Sequence, residues 1–480
     1  MTLKLYNTLT KEKEEFEPLE EGKVKIYSCG QTIYLDMHVG NAKTYAAWDV
    51  LNRYLTWKGY DVFHVMNITD VGHLTDDSDQ GDDKVEKEAK ERGIEPMELV
   101  TEQVQRWYRE MERLNMKRHN VNPRATGHMV EMIEAVGRII ESGYGYEENG
   151  TVYFDVMKFY KDHGYPEIGN MDIEQLKAGA GGRVEEDETK EKRSPLDFAL
   201  WINADPEHIM KWPSSWSKGY PGWHLECSVM SSKYLGERFD IHTGGVDHLF
   251  PHHPNERAQD IAMNNLEEEP VNYWLHSEHI TVEGEKMSKS KGNFYTVSEL
   301  LENYDPEVIR MFFASSHYRK QVDFNHDALE NAENNLEKLY NTLWNIENSD
   351  GGEGEGLEEE IGRLEERFEE KMDDDIDTHG ALNEIMKFSK KVNKNLDNRK
   401  EILERAGDKI QELGGVLGLK LDLVEEGGKI PEETVELLIE IRDEFREEGD
   451  YDRADDIRDV LRNAGIELED EGGETVWKRV

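Results

Sequence analysis

Cysteine is almost missing from this chain. Only Cys29 and Cys227 occur in 480 residues. That excludes a disulfide-stapled scaffold, and two lone thiols far apart in an intracellular protein point to a metal or to packing rather than a bridge. Long apolar runs are missing too. No stretch reaches the ~20 residues that a spanning helix needs, and no apolar leader follows Met1, so a soluble, cytoplasmic protein with no membrane partner is expected. Positive charge is scarce: 58 Lys and Arg stand against 104 Asp and Glu, a net charge of −46. A solvated surface, a disordered acidic chain and a halophilic protein from a salt-accumulating cell all fit that figure. Twenty tyrosines, ten tryptophans and clear apolar periodicity argue against disorder. At about 1 M salt the Debye length falls to roughly 3 Å and acidic self-repulsion becomes tolerable, so the halophilic reading fits best. Taken alone, the acid excess argues against a nucleic-acid partner.

What is present is concentrated in three stretches. The first, Lys25 to Leu55, reads as a short apolar strand, a Cys-Gly turn, a His-x-Gly-Asn loop and an amphipathic helix from about 42 to 57. Tyr45, Trp48, Leu51 and Leu55 repeat there at helical spacing. A second strand near 62–68 completes a βαβ unit, the start of a parallel doubly wound sheet. A helix over 119–142 and a strand at 150–156 follow. The polar stretch 178–194 reads as an insertion loop, and secondary-structure signals resume at 195–202. The second loaded stretch, Pro221 to Gln259, is dense in His, Cys, Gly and Trp; the third is EGEKMSKSKGNF, Glu283 to Phe294. From about Asp323 long Glu/Lys helices take over, interrupted at 348–356, and two helices with a hairpin at 466–479 close the chain.

Moving a nucleotidyl group builds charge on an α-phosphate and on departing pyrophosphate. Catalysis then rests on positioned donors and cations rather than on a nucleophilic side chain. His38 and Asn41 can donate to phosphate, Gly40 lets adenine or ribose approach the backbone, and Lys286 and Lys289, with Ser288 and Ser290 between and beside them, can close over pyrophosphate. HxGN alone matches often by chance, and KMSKS alone could be a solvated basic loop; the pair, in this order around a split sheet, is far more specific. The two motifs resemble those of class I aminoacyl-tRNA synthetases.

A second constellation joins Cys29, Cys227, His252 and Glu256. His252 and Glu256 are four apart and share one helix face. Two thiolates, an imidazole and a carboxylate make a tetrahedral Zn2+ set. A buried core thiol is the bland alternative for each cysteine, and His253 is the competing imidazole. Zinc at the floor of an amino-acid pocket would select a soft ligand, a thiolate, where shape alone separates isosteres by only about 1–3 kcal/mol per methylene.

Together with YSCGQTIYLDMHVGNAKTY, NITDVGH, PRATGH, LDFALW, PGWHLECS, FDIHTGGVDHLFPHHPNERAQ, VNYWLHS and EKMSKSKGNF, the chain resembles the cysteinyl-tRNA synthetase family over its whole length. The resemblance implies zinc ligands Cys29, Cys227, His252 and Glu256, with His38 and Asn41 in the HIGH-type motif. It also implies Lys289, helped by Lys286, at ATP. Thr32, Trp223, His224 and Asp247 would wall the amino-acid and adenylate pocket; for Trp223 and His224, packing and a satisfied core histidine are the alternatives. Gln31 stands where the family often has proline, which puts the rigidity of that turn in question. The implied fold is a split Rossmann-like doubly wound parallel sheet with an insertion domain, a helical anticodon-binding region and a small C-terminal helix-hairpin unit. Its expected divisions are 1–118, 119–204, 205–275, 276–322, 323–423 and 430–480. The implied reaction joins L-cysteine to tRNA through an adenylate, with ATP and Mg2+ as substrate and counter-ion, in a monomer.

Two further readings bear on partners. Asp373, Asp375, Asp377 and Glu384 have EF-hand-like offsets, but Thr378 stands where the loop needs glycine, so a cap between helices is expected instead. Arg442, Arg446, Arg453, Arg458, Trp477, Lys478 and Arg479 could hold anticodon bases by stacking and hydrogen bonds, or could simply pair with surface acids. With so little phosphate neutralisation, tRNA affinity should fall only shallowly with salt. A ligase of the same fold joining cysteine to a sugar amine, and a tRNA-binding paralogue without catalysis, are the rival readings.

Overall fold

The computed structural model describes residues 2–74, 82–169, 173, 192–287, 293–422, 432–463, 466–471 and 474–479. Four parallel strands carry the site: β1 (Lys23–Ser28), β2 (Asp61–Met66), β3 (Phe239–Gly245) and β4 (Val271–Ser277). Their order is β4-β3-β1-β2, with Val24 opposite Val62, Ile241 opposite Ile26 and Thr243 opposite both Ser28 and Leu275. The chain leaves β1 outward to β2 through helix α1 (Val39–Trp57). It leaves β3 the other way to β4. The direction therefore reverses between β1 and β3, and the crevice beyond their carboxyl ends is where a doubly wound sheet binds ligands.

Helix α1 forms for legible reasons. His38 caps it, and Ala42, Tyr45, Ala46, Trp48, Leu51 and Leu55 bury one broad face. Helix α2 (Lys84–Arg92) follows β2; Asp83 caps its first turn and Gly93, at φ +70°, ends it. Helix α3 (Trp223–Leu235) carries Cys227 and packs on helix α4 (His252–Asn264), which is buried from His252 to Met263.

Between the two halves of the parallel sheet lies an antiparallel sheet in the order 145–148, 151–154, 198–203, 218–221, 212–213. It takes strands from both sides of residue 204. The expected helix over 119–142 is a short 3-10 turn, Ala125–His128, running into a helix at Met129–Glu141. Most of the expected loop 178–194 lies outside the described residues. Helices His326–Asn348, Leu357–Met372, Thr378–Lys394 and Lys400–Val416 form the helical region. Residues 1–421 make one compact unit and 422–480 another.

The second unit pairs helices Glu432–Glu448 and Tyr451–Asn463 with the hairpin Ile466–Glu471 and Glu474–Arg479. Val435, Ile439, Leu461 and Ile466 form its core, and Trp477 packs against them. Arg442 is buried and donates to Thr475 Oγ1 at 3.1 Å. Of the proposed anticodon face, Arg442 and Trp477 are thus turned inward to hold the unit together, while Arg446, Arg453 and Arg458 are exposed. The side chains of Lys478 and Arg479 lie outside what is described.

Candidate active site

An open cleft sits over the carboxyl ends of β1 and β3. Thr32, His38, Gly40, Asn41, Trp223, Asp247, Cys29, Cys227 and His252 all line it. Met287 and Phe294 line it as well, so three distant sequence stretches reach one cavity.

Its floor is the thiol set. Cys29 follows β1 directly, its amide bonded to Thr243 O at 3.1 Å. The next residue must be glycine: a Cβ on Gly30 would stand 1.8 Å from Asn67 O. Cys29 Sγ lies 3.9 Å from Cys227 Sγ and 3.5 Å from Glu256 Oε1, and His252 Nε2 lies 2.8 Å from that same oxygen. Two sulfurs bound at ~2.3 Å to a tetrahedral zinc stand roughly 3.8 Å apart, so the thiol spacing needs no adjustment; the His252–Glu256 pair must open by about half an ångström to admit the ion. All four ligand atoms lie within 4.8 Å of one another. The set fits Zn2+.

Cys29 and Glu256 could also serve a second set with His242 and His253, and His253 Nε2 is in fact 3.4 Å from Cys29 Sγ. The cleft separates the two. Cys227 and His252 line it, whereas His242 and His253 do not. Those two are held elsewhere, His242 by Glu256 Oε2 at 2.7 Å and His253 by His276 at 2.8 Å. His224 is absent from the cleft wall; its Nδ1 lies 2.7 Å from His252 Nδ1, so it orients that ring.

Charge in this nest follows from burial and mutual contact. Burial would push the Cys227 thiol up, but the hydrogen bond from Cys29 and the neighbouring His252 outweigh it and bring it down to about 6. Cys29 is raised well above its usual value by burial and by Cys227. His252 rises to about 10, because Glu256 and Cys227 overcome the burial that disfavours its charge. Glu256 is held well below the carboxylate range by His242 and His252 despite its burial. These directions favour charge on Cys227, His252 and Glu256 and disfavour it on Cys29, a balance that a divalent ion would reorganise.

The opposite wall is the start of α1. There the amides of the helix N-terminus are taken up within the chain. His38 Nδ1 accepts from Gly40 N at 3.1 Å and Asn41 N at 3.2 Å, and Val39 N bonds Tyr295 O at 3.1 Å. The first amides are already engaged, so a phosphate here would meet side chains: His38 through Nε2, and Asn41. Val297 N donates to Met37 O at 2.8 Å, pinning the exit of the third stretch onto the first. Lys286 sits on the strand Glu285–Lys286 opposite Thr281 and Met287 lines the cleft, while Ser288, Lys289 and Ser290 lie outside the described residues. Asp247 Oδ2 faces His279 Nδ1 at 3.4 Å. Gln31, in place of proline, braces its turn with Nε2 on Leu35 O at 2.8 Å.

Sequence reasoning missed His73, Lys84 and Lys43. His73 stacks on Trp223 with centroids 4.0 Å apart, and Lys43 is buried with Nζ on Glu278 O at 2.6 Å, Lys320 O at 3.2 Å and Tyr318 O at 3.3 Å. The signals for His73 were its place in NITDVGH and its position just past the carboxyl end of a sheet strand.

Comparison with known proteins agrees with this geometry. Residues 15–334 match the family described as tRNA synthetases class I (C) catalytic domain, and 367–422 match the DALR domain. The fold is shared with a methionyl-tRNA synthetase of Mycobacterium tuberculosis in complex with methionyl-adenylate (TM-score 0.57, 15% identity, 87% of this chain and 94% of that one). It is shared too with a leucyl enzyme of Agrobacterium radiobacter in a ternary complex with tRNA (TM-score 0.60, 11% identity, 85% of each chain). Fold and cleft thus define a class I synthetase. Cysteine–tRNA ligases of Thermococcus gammatolerans (45% identical, 100% of both chains), Pyrococcus abyssi (46%, 100% of this chain and 99% of the other) and Thermus thermophilus (42%, the same coverage) align end to end. The chain belongs to the cysteine–tRNA ligase family and is an enzyme. No described helix is long and apolar enough to cross a membrane.

Proposed function

We propose that the cleft activates L-cysteine with ATP to a cysteinyl-adenylate and passes the cysteinyl group to the 3′ end of its tRNA, releasing AMP and pyrophosphate. The observation that carries this reading is the pairing of a two-thiol, imidazole and carboxylate set with an HVGN-capped helix across one cavity. When bound by Cys29, Cys227, His252 and Glu256, Zn2+ supplies a soft Lewis-acid contact for the substrate thiolate, which serine and alanine cannot make. His224 fixes the His252 ring. Thr32, Trp223 and Asp247 hold the rest of the amino acid, and His38 Nε2 and Asn41 donate to the phosphates of Mg2+-ATP, whose adenine or ribose passes over Gly40. Lys286 and Lys289, flanked by Ser288 and Ser290, neutralise the departing pyrophosphate. The acidic surface supports work at high cytoplasmic salt, as a monomer.

The test is cysteine-dependent ATP–pyrophosphate exchange followed by charging of tRNA. Exchange without charging would favour the sugar-amine ligase, and no exchange would leave a binding paralogue. Cys29→Ser and His252→Ala should lose zinc and the preference for cysteine over serine together. Full activation at normal zinc content would refute the ligand set.

A further inference from the structure

Three side chains at the edge of the cleft form a chain whose proton positions are fixed by chemistry alone. Lys84 Nζ stands 2.7 Å from His73 Nε2, and His73 Nδ1 stands 2.5 Å from Thr32 Oγ1. A lysine ammonium has donors and no acceptor, so His73 Nε2 must receive its hydrogen. The imidazole is then neutral with its own proton on Nδ1, and that proton goes to Thr32 Oγ1. Thr32 is left with a hydroxyl that already accepts from one side and has its own hydrogen to give. Thr32, His73 and Lys84 all line the cleft.

The chain is held firmly at each link. Asp83 caps α2 through Val85 N and Glu86 N and takes Gly72 N on its other oxygen at 2.7 Å. Lys84 N bonds His73 O at 2.9 Å. Glu86 accepts Ile209 N and Met210 N, just ahead of the strand 212–213, at 3.0 and 2.6 Å, which anchors the outer side of α2. The His73 ring lies 9° from parallel to Trp223, whose ring is 4.4 Å from that of His252. Thr32 is itself bridged to Thr69 at the end of β2.

We propose that Lys84 and His73 are positioning residues that commit the Thr32 hydroxyl to donating toward the carboxylate of the bound amino acid. The proposal rests on the cleft being the amino-acid site. An amino acid anchored at its thiol can present either its ammonium or its carboxylate to Thr32. With one lone pair taken by His73 and the chain polarised by the lysine charge at its far end, the hydroxyl is a stronger donor and a poorer acceptor, which favours the carboxylate over the ammonium at this position. The relay therefore sets which end of the zwitterion points toward Thr32, with the carboxylate held for attack on the α-phosphate.

The test uses the zinc-loaded enzyme and two ligands with the same thiol: L-cysteine and cysteamine, which lacks the carboxylate. Calorimetry gives the affinity of each for the wild type and for Thr32→Val, His73→Phe and Lys84→Met; phenylalanine keeps the stack on Trp223. Each variant should weaken L-cysteine about tenfold, the range of one hydrogen bond to a charged group, and leave cysteamine unchanged. Lys84→Met in the Thr32→Val background should cost nothing further, and Lys84→Arg should restore most of the loss. Parallel weakening of both ligands, loss of zinc, additive losses, or Lys84→Met with wild-type affinity for L-cysteine would each overturn the relay. A wild-type enzyme that binds cysteamine as tightly as L-cysteine would instead overturn the amino-acid reading of the cleft, and the relay with it.

Discussion

His224 and His252 meet through their Nδ1 atoms, 2.7 Å apart, in a space from which solvent is excluded. Burial and the adjacent His252 hold His224 well below its usual value, so it is neutral and accepts, and His252 turns Nε2 toward Glu256 and the thiols. His224→Phe should fill the space and abolish the bond. Zinc affinity, read by competition with a chelator, is expected to fall about 10- to 100-fold while Cys29 and Cys227 remain. His224→Gln, which can still accept, should recover part of it. Unchanged affinity in the phenylalanine variant would mean that the ring is packing and nothing more.

Gly40 is a matter of space rather than of backbone freedom. A Cβ there would lie 3.0 Å from His38 Nδ1 and Cε1 and 3.4 Å from Ile280 Cγ2. Gly40→Ala must shift the His38 ring or the Ile280 side chain by a few tenths of an ångström. Exchange activity should drop about tenfold, less than the roughly 100-fold effect of misplacing a catalytic group by a full ångström, with thermal stability nearly unchanged. A large fall in Tm with proportionate inactivation would assign the effect to folding instead.

The parts that were legible in the sequence are those written in rare residues or clear periods. Two thiols in a whole chain, an HVGN tetrapeptide and the period of Tyr45, Trp48, Leu51 and Leu55 located the site and α1 before any coordinates. Strand β3 was hidden because His242, Thr243 and Gly244 read as chemistry, although they are buried sheet residues. His252 and His253 could not be separated by pattern. Helix α4 is buried from nearly every side, so neither residue occupies a solvent face that would mark it. No pattern in the sequence marks Lys43, and Arg442 and Trp477 read as anticodon contacts or as partners of surface acids. Only tertiary packing shows that all three are drawn inward.

Asp375 shows what the EF-hand-like spacing is for. Its Oδ1 accepts from Tyr6 N at 2.9 Å and Tyr318 OH at 2.7 Å, and its Oδ2 from Arg319 at 2.7 Å. Asp377 caps the helix Thr378–Lys394 through Gly380 N at 3.0 Å. Asp375 thus ties the start of this helix to the strand Lys4–Asn7, and Asp377 caps the helix itself. Asp375→Ala should cost about 3–5 kcal/mol in urea unfolding, because it strands a guanidinium and a buried phenol. Millimolar calcium should leave the Tm of the wild type where it is; a calcium-dependent rise would restore the metal reading.

Lys43 puts an ammonium where water cannot follow, against the carbonyls of Glu278, Tyr318 and Lys320. Burial brings its pKa down from 10.5 to about 8, with Glu278 opposing. Between those two values the unfolded chain still carries the proton that the folded chain has released. The unfolded state binds more protons there, so this group makes stability rise with pH across the window, by about 3 kcal/mol in all. Lys43→Met removes the titration. The stability difference between wild type and Lys43→Met should therefore shift in favour of the wild type from about pH 7 to about pH 10, as read by paired urea curves. The same difference at both ends would mean that the ammonium keeps its proton throughout, held by the carbonyls more strongly than burial opposes it.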